Sequence, residues 1–189
     1  MKRTFDDQTF EKYDILQGLN HEFDNCTFQN CDFSNVSFAS AELIDCTFIS
    51  CNLSMARLDN TVVNQVKFTD CKVLGIDFSK CSKFLFSVAF ENCTLKYSLF
   101  FKNDLKNTVF KKCMLQEVSF IETNLIAARF LDCDLDKAVF DRANLEKADF
   151  TSSHNYSINP ETNKLKKTKF SMPDVLGLLG HLDIEIIEN

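Results

Sequence analysis

The 189-residue chain has no tryptophan, only four glycines and only two prolines. An average protein uses about 7% glycine and 5% proline, so architectures built on glycine-rich phosphate loops are disfavoured from the start. No G-x-G-x-x-G, G-x-x-x-x-G-K-[ST] or G-x-S-x-G occurs, which removes the commonest nucleotide-binding and hydrolase frameworks. Long apolar runs are also missing: nothing approaches the roughly 18 consecutive residues that a membrane-crossing helix needs. The opening residues, MKRTFDDQTF, lack the apolar stretch of a secretory signal. The chain is therefore expected to be neither exported nor membrane-embedded, and to be cytoplasmic. A surplus of cations is the last absence. Lys and Arg number 21 against 27 Asp and Glu, a formal charge of −6, whereas neutralising phosphates takes clustered positive side chains. Direct nucleic-acid binding is not expected.

What is abundant is phenylalanine, at 20 positions, within a composition that is 45% apolar. That supports one domain with a substantial core. From Phe23 an apolar residue recurs every fifth position through Phe28, Phe33, Phe38, Leu43 and onward to Phe78. The phase slips by two residues and resumes from Leu85 through Phe90 and Leu95 to Phe150, giving 26 units in all. Helices repeat near 3.6 residues and flat strands near 2, so neither accounts for a beat of five. Two residues before each of these central residues stands a small or β-branched one, such as Cys26, Cys31, Val36, Ala41 or Ala148. An offset of two puts both side chains on one face of a short extended segment. Two residues after the centre come Asn25, Asn30, Asn35, Ser40, Asp45 and Gly75, residues suited to a corner.

The number of walls follows from the columns. At a step of twenty residues, with the slip allowed for, Phe28, Phe48, Phe68, Phe90, Phe110, Phe130 and Phe150 align. So do Cys31, Cys51, Cys71, Cys93, Cys113 and Cys133, while the slots half a turn away hold Ala41, Thr61, Asn103, Thr123 and Ala143. One turn of the chain therefore has four sides. The expected fold is all-β, a four-sided solenoid of about six and a half coils, on the order of 30 Å long at 4.7–4.9 Å per coil. We call the wall centred on Phe23 the first and number the others in chain order.

Units such as CDFSN, CNLSM, ANLEK and ADFTS resemble the pentapeptide-repeat family. The resemblance implies a right-handed quadrilateral β-helix over residues 21–153, flanked by an N-terminal cap segment (1–20) and a capping or dimerisation segment (154–189). The tail KFSMPDVLGLLGHLDIEII is similar to that of the branch containing the Qnr quinolone-resistance proteins and the microcin-immunity protein McbG, with a short C-terminal helix and a terminal strand. In that branch the tail joins two protomers. Here Ser171 and Asp174 form a candidate capping pair, Pro173 fits a first helical turn and Gly180 a stop. Val175, Leu176, Leu178 and Leu179 would give the helix its apolar face, and Leu182, Ile184 and Ile186 would alternate along the strand. These seven form the candidate dimer interface, the alternative being a cap on a monomer.

No residue pattern supports an enzyme. His21, His154 and His181 lie near the ends without triad partners, and are expected at the surface; every inward slot is apolar or small. The nine cysteines occupy the inward phase, lack the spacing of a zinc site, and are expected to be reduced packing residues. No metal or cofactor is expected. Function then falls to the surface. The outward slots of the first wall hold Glu22, Asp24, Glu42, Asp45, Asp104 and Glu146, opposed there by Lys106 and Lys147. One reading is a solubilising face. The other, which the family resemblance implies, is partial mimicry of duplex DNA, with DNA gyrase or topoisomerase IV as partner and a modulated response to a drug or toxin. The charge is sparser than the one per about 1.7 Å of B-DNA, so shape would have to contribute. At the slip, Phe84 and Phe86 flank Leu85 and would point outward, with Leu99 and Phe101 on the adjoining wall. This is either a bulge that tucks one Phe inward or an apolar contact patch of Phe84, Phe86 and Phe101. The patch would suit a scaffolding module that binds some other protein. The longer projecting loops of the Qnr proteins are absent.

Overall fold

A unit with two inward side chains and one corner can close only by stacking on its neighbours, and the chain does so. The computed structural model describes residues 2–12 and 20–187. On the first wall, β1 (Thr4–Asp6), β3 (Glu22–Asp24), β5 (Glu42–Ile44) and β7 (Val62–Asn64) form a parallel sheet in that order. The second wall is a seven-stranded parallel sheet of β2 (Thr9–Glu11), β4 (Thr27–Gln29), β6 (Thr47–Ile49), β8 (Val66–Thr69), β9 (Val88–Glu91), β10 (Val109–Lys111) and β11 (Arg129–Leu131). The third and fourth walls pair through single parallel bridges, such as Asn52 with Lys72 and Leu99 with Ser119. Register advances by twenty residues per coil, except for 18 from Phe5 to Phe23 and from Phe10 to Phe28 and 22 from Phe68 to Phe90. This is the four-sided parallel β-helix expected from the columns, and it agrees with the quadrilateral β-helix that the family resemblance implies.

Winding begins within the segment expected as an N-terminal cap, where Phe5 and Phe10 carry the five-residue beat and pair with Phe23 and Phe28. It continues beyond residue 153 through the bridges of Asn144 with Lys164 and Asp149 with Lys169. The phenylalanine column accordingly runs from Phe10 to Phe170. Its rings stack nearly parallel at centroid separations of 4.5–5.6 Å. A second stack, Phe78, Phe100, Phe120 and Phe140, meets the first edge-on. Offset stacking along a column with edge contact across it is what the ring quadrupole favours.

The small inward residues do more than fill space. Thr61, Thr123 and Ser153 donate from their hydroxyls to the carbonyls of Phe38, Phe100 and Phe130 one coil below, at 2.8, 2.7 and 2.9 Å. Cys46, Cys51, Cys71 and Cys93 point their thiols at the equivalent carbonyls of Phe23, Phe28, Phe48 and Phe68. Where a corner does not close its own hydrogen bond, the side chain above accepts: Cys31 N–H donates to the Cys51 sulfur and Cys133 N–H to the Ser153 hydroxyl. All nine cysteines are free and buried, and burial pushes the Cys46 and Cys81 thiols up to about 12, which suppresses thiolate chemistry. Thr123→Val keeps the shape and removes one donor. It is expected to cost about 1 kcal/mol, read as a lower urea midpoint; an unchanged midpoint would leave the hydroxyl as filler.

Corners take the left-handed conformation the sequence predicts, with φ of 48–62° at Asn25, Asn30, Asn35, Ser40, Asp45 and Gly75. His21 departs from expectation. It is buried in an inward slot, accepts from Arg3 N–H at 3.3 Å and packs edge-on to Phe5 and Phe23.

The C-terminal segment also differs in detail. The short helix is a five-residue 3₁₀ turn, Asp174–Leu178, preceded by Pro173 without a side-chain cap. Ser171 instead donates to the Thr151 carbonyl and makes no cap to the turn. Leu178 packs on the core, whereas Val175 and Leu176 are half-buried and Leu179 is exposed. The helix ends before Leu179 rather than at Gly180. Residues 182–187 form no strand: Leu182, Ile184 and Ile186 are exposed, because no edge of this chain lies beside them to complete a ladder.

Candidate partner-binding surfaces

Outward positions on a parallel ladder repeat once per coil, so like residues in a sequence column become a line of like side chains. Glu22 lies in register with Glu42, and Asp6 with Asp24. Asp45 occupies the following corner, and Asn25 donates to Asp7 at 2.5 Å on the corner below. Sequence reasoning missed what crosses this line. The Lys2 ammonium lies 2.5 Å from Glu42 and 3.4 Å from Glu22, and the Glu42 carboxylate raises Lys2 above the ordinary lysine value. Thr4 also donates to Glu22 at 3.0 Å. Reading Phe5 and Phe10 as a coil would have placed Lys2 below these glutamates.

The structure brings Glu22, Asp24, Glu42 and Asp45 together and leaves Asp104 and Glu146 apart. Val62 follows Glu42 on the ladder, then comes the slip. Beyond it the line reads Asp104, Asn124, Asn144 and Lys164. Asp104 is occupied by Asn124, which donates at 2.9 Å, and by the Lys106 N–H. The acidic surface is therefore confined to the first coils. Charge counts agree: residues 1–50 contain nine carboxylates against three cations, and the rest of the chain is balanced at eighteen of each.

The slip resolves as a bulge. Ser82 N–H donates to the Thr61 carbonyl, and Val88 is in register with Val66. The extra two residues between those anchors loop outward. Because Val88 and Phe90 face inward, alternation turns Phe86 inward too, where it is 9% exposed and 6.3 Å from the Phe78 ring. Phe86 is thus core, not contact surface, and Leu85 is no central residue. Leu85 sits in the left-handed region at φ 52° and is 59% exposed, beside Phe84 at 70%. Phe101 is also exposed, with the Lys102 ammonium 4.7 Å from its ring centroid.

Among the described residues, no group of three or more His, Cys, Asp or Glu is placed to hold a metal. No helix among them is long and apolar enough to cross a membrane.

No curated protein matches the sequence. Among solved structures, full-length QnrB1, a plasmid-mediated fluoroquinolone resistance protein, aligns over 97% of this chain and 98% of its own at 21% identity, with a TM-score of 0.55. HetL, a pentapeptide repeat protein involved in heterocyst differentiation regulation in the cyanobacterium Nostoc sp., aligns over 89% of this chain and 84% of its own at 12% identity, with a TM-score of 0.51. The family model for the pentapeptide repeat region matches residues 21–100 and 82–170, and the stacked five-residue units put the chain in the pentapeptide-repeat family.

Proposed function

We propose that this chain is a non-enzymatic DNA surrogate that binds a type II topoisomerase, DNA gyrase or topoisomerase IV, and modulates its response to a drug or toxin. The observation that carries the reading is the acidic first wall, where Glu22, Asp24, Glu42 and Asp45 project from in-register coils holding the whole net charge of the chain. A rigid rod with carboxylates at fixed spacing presents a basic DNA-binding saddle with charge that needs little reorganisation. Likeness to QnrB1, whose function is fluoroquinolone resistance, supports the same direction. Lys2 would be displaced on docking, at small cost for an exposed pair. The protein acts as a homodimer joined through Val175, Leu176, Leu178, Leu179, Leu182, Ile184 and Ile186. Supporting this is the exposed, unpaired run 182–187, which a second copy would cover; sedimentation at two chains per particle reads it directly. Free thiols throughout fit a reducing, cytoplasmic setting.

The test is a gyrase supercoiling assay with and without a quinolone or microcin. Native protein is expected to change enzyme activity at micromolar concentration. Replacing Glu22, Asp24, Glu42 and Asp45 together by Lys is expected to reduce that effect at least tenfold with the far-ultraviolet spectrum unchanged. Equal potency of the variant would dismiss the acidic wall as the contact.

A further inference from the structure

The bulge breaks the first wall in a way that the other three walls do not share. Among the described residues no backbone hydrogen bond joins 82–86 to 103–107. The second, third and fourth walls remain linked at the same level, through Phe110 with Phe90, Met114 with Thr94 and Ser119 with Leu99. On the outer surface of the open stretch apolar side chains stand among charged ones. Phe84 and Leu85 are the exposed side chains of the bulge, and Phe101 precedes the corner that leads into the open stretch. Leu85 gains nothing from its position. A branched side chain held at φ 52° costs on the order of 1 kcal/mol, and exposure returns no burial. Met55 and Tyr97 hold the same corner conformation with similar exposure, so Leu85 is the corner residue of the bulge, and its side chain is free to make a contact.

Charge around this opening is opposite to that of the chain as a whole. From Lys80 to Lys112 there are seven lysines against Glu91 and Asp104 alone. Lys102 lies over the Phe101 ring and is paired with Glu122 at 3.3 Å, whereas neither Lys83 nor Lys106 has a carboxylate within ion-pair distance among the described residues. Lysines around exposed aromatic side chains call for a ligand that is both anionic and apolar. An extended polyanion fits poorly, because beyond about 8–10 Å it leaves the lysines' screened field and meets the acidic first coils. A short extended peptide sees only the local field and can lay its backbone along the open ladder.

We infer that the opening between residues 82–86 and 103–107 is a docking site for an extended acidic peptide segment with apolar side chains, separate from the acidic end. Lys83, Lys102 and Lys106 would supply the charge, and Phe84, Leu85 and Phe101 the apolar contact. The probe is a fluorescein-labelled dodecapeptide alternating Glu with Leu, compared with a Lys–Leu peptide, a Glu–Ser peptide and a single-stranded dodecanucleotide. Anisotropy is expected to show saturable binding of the Glu–Leu peptide that weakens at high salt and falls at least tenfold for Phe84→Ser and for the Lys83→Glu, Lys106→Glu pair. Both variants change exposed side chains, and an unchanged thermal melt confirms their fold. The four-Lys variant of the acidic end is expected to bind the peptide undiminished, which separates this site from the topoisomerase reading. Equal or tighter binding of the Lys–Leu peptide or the oligonucleotide overturns the proposal, as does indifference to Phe84→Ser or no binding at 100 µM (on the order of −5 kcal/mol). Self-association that depends on Phe84 also overturns it, by making a second copy the occupant.

Discussion

Phe110→Ala is expected to lower the unfolding free energy by about 3–5 kcal/mol. The ring is fully buried, stacked 5.4 Å from Phe90 and 5.0 Å from Phe130, and met edge-on by Phe100 and Phe120 at 6.1 and 5.8 Å. Truncation removes the transfer energy of the ring and leaves a void that neighbours fixed by their ladders cannot close. At about 2–4 °C per kcal/mol for a chain of this size, the melting temperature should fall by roughly 10 °C or more. Phe101→Ala, at an exposed position two walls away, should change stability by no more than about 0.5 kcal/mol. Because each coil touches only its neighbours, the damage should spread by uncoupling the two halves. Denaturant curves by circular dichroism measure both variants, and similar losses for the two would contradict the stacked column.

The second large effect is expected at the C-terminal end. A Cβ on Gly177 would run into the carbonyl oxygen of Tyr156, and Ile158 N–H donates to the Gly177 carbonyl at 3.1 Å. Neither contact is with a flexible side-chain tip, so Gly177→Ala must push the 3₁₀ turn away from the last coil. A local loss of roughly 3 kcal/mol follows. Hydrogen exchange at Ile158 and across 174–178 should accelerate by about two orders of magnitude while amides of 22–150 stay protected. Gly180→Ala serves as the control, since its Cβ would meet the Ser157 hydroxyl at 3.2 Å, an atom able to rotate, and the Gly177 carbonyl at an ordinary contact distance of 3.8 Å. Unaltered exchange in the Gly177 variant would mean the turn is not seated on Tyr156.

The solenoid was legible because a five-residue period leaves few geometries, and the unbroken cysteine column chose four walls over two. The corners before the slip were legible because Asn, Asp and Ser recur there, whereas beyond it the same left-handed positions hold residues such as Tyr97, Lys102, Glu117 and Arg142 that carry no turn signal. Three features resisted. The first coil was written in Phe5 and Phe10, but an 18-residue step to Phe23 and Phe28 breaks the twenty-residue rule. At the slip, the five-residue beat carried back from Phe90 selects Leu85, whereas strand alternation carried back from Phe90 and Val88 selects Phe86. Structure follows the second, because local alternation is enforced by the strand and the long-range beat is not. The C-terminal run Leu182–Ile186 alternates as a strand would, yet a strand needs an adjoining edge, and sequence says nothing about where that edge comes from. Of the candidate site, the first-coil carboxylates could be grouped by column, but Lys2 beside them is placed only once Phe5 and Phe10 are read as a coil.

An unfastened seam in one wall has a mechanical consequence. The wall facing it, the third, stays bridged at that level through Lys72, Thr94 and Met114, so the restraints on the two faces of the rod are unequal between Phe84 and Asp104. Bending is therefore expected to be easiest at that level, about the third wall, tilting the acidic tip toward or away from the first wall without any coil coming undone.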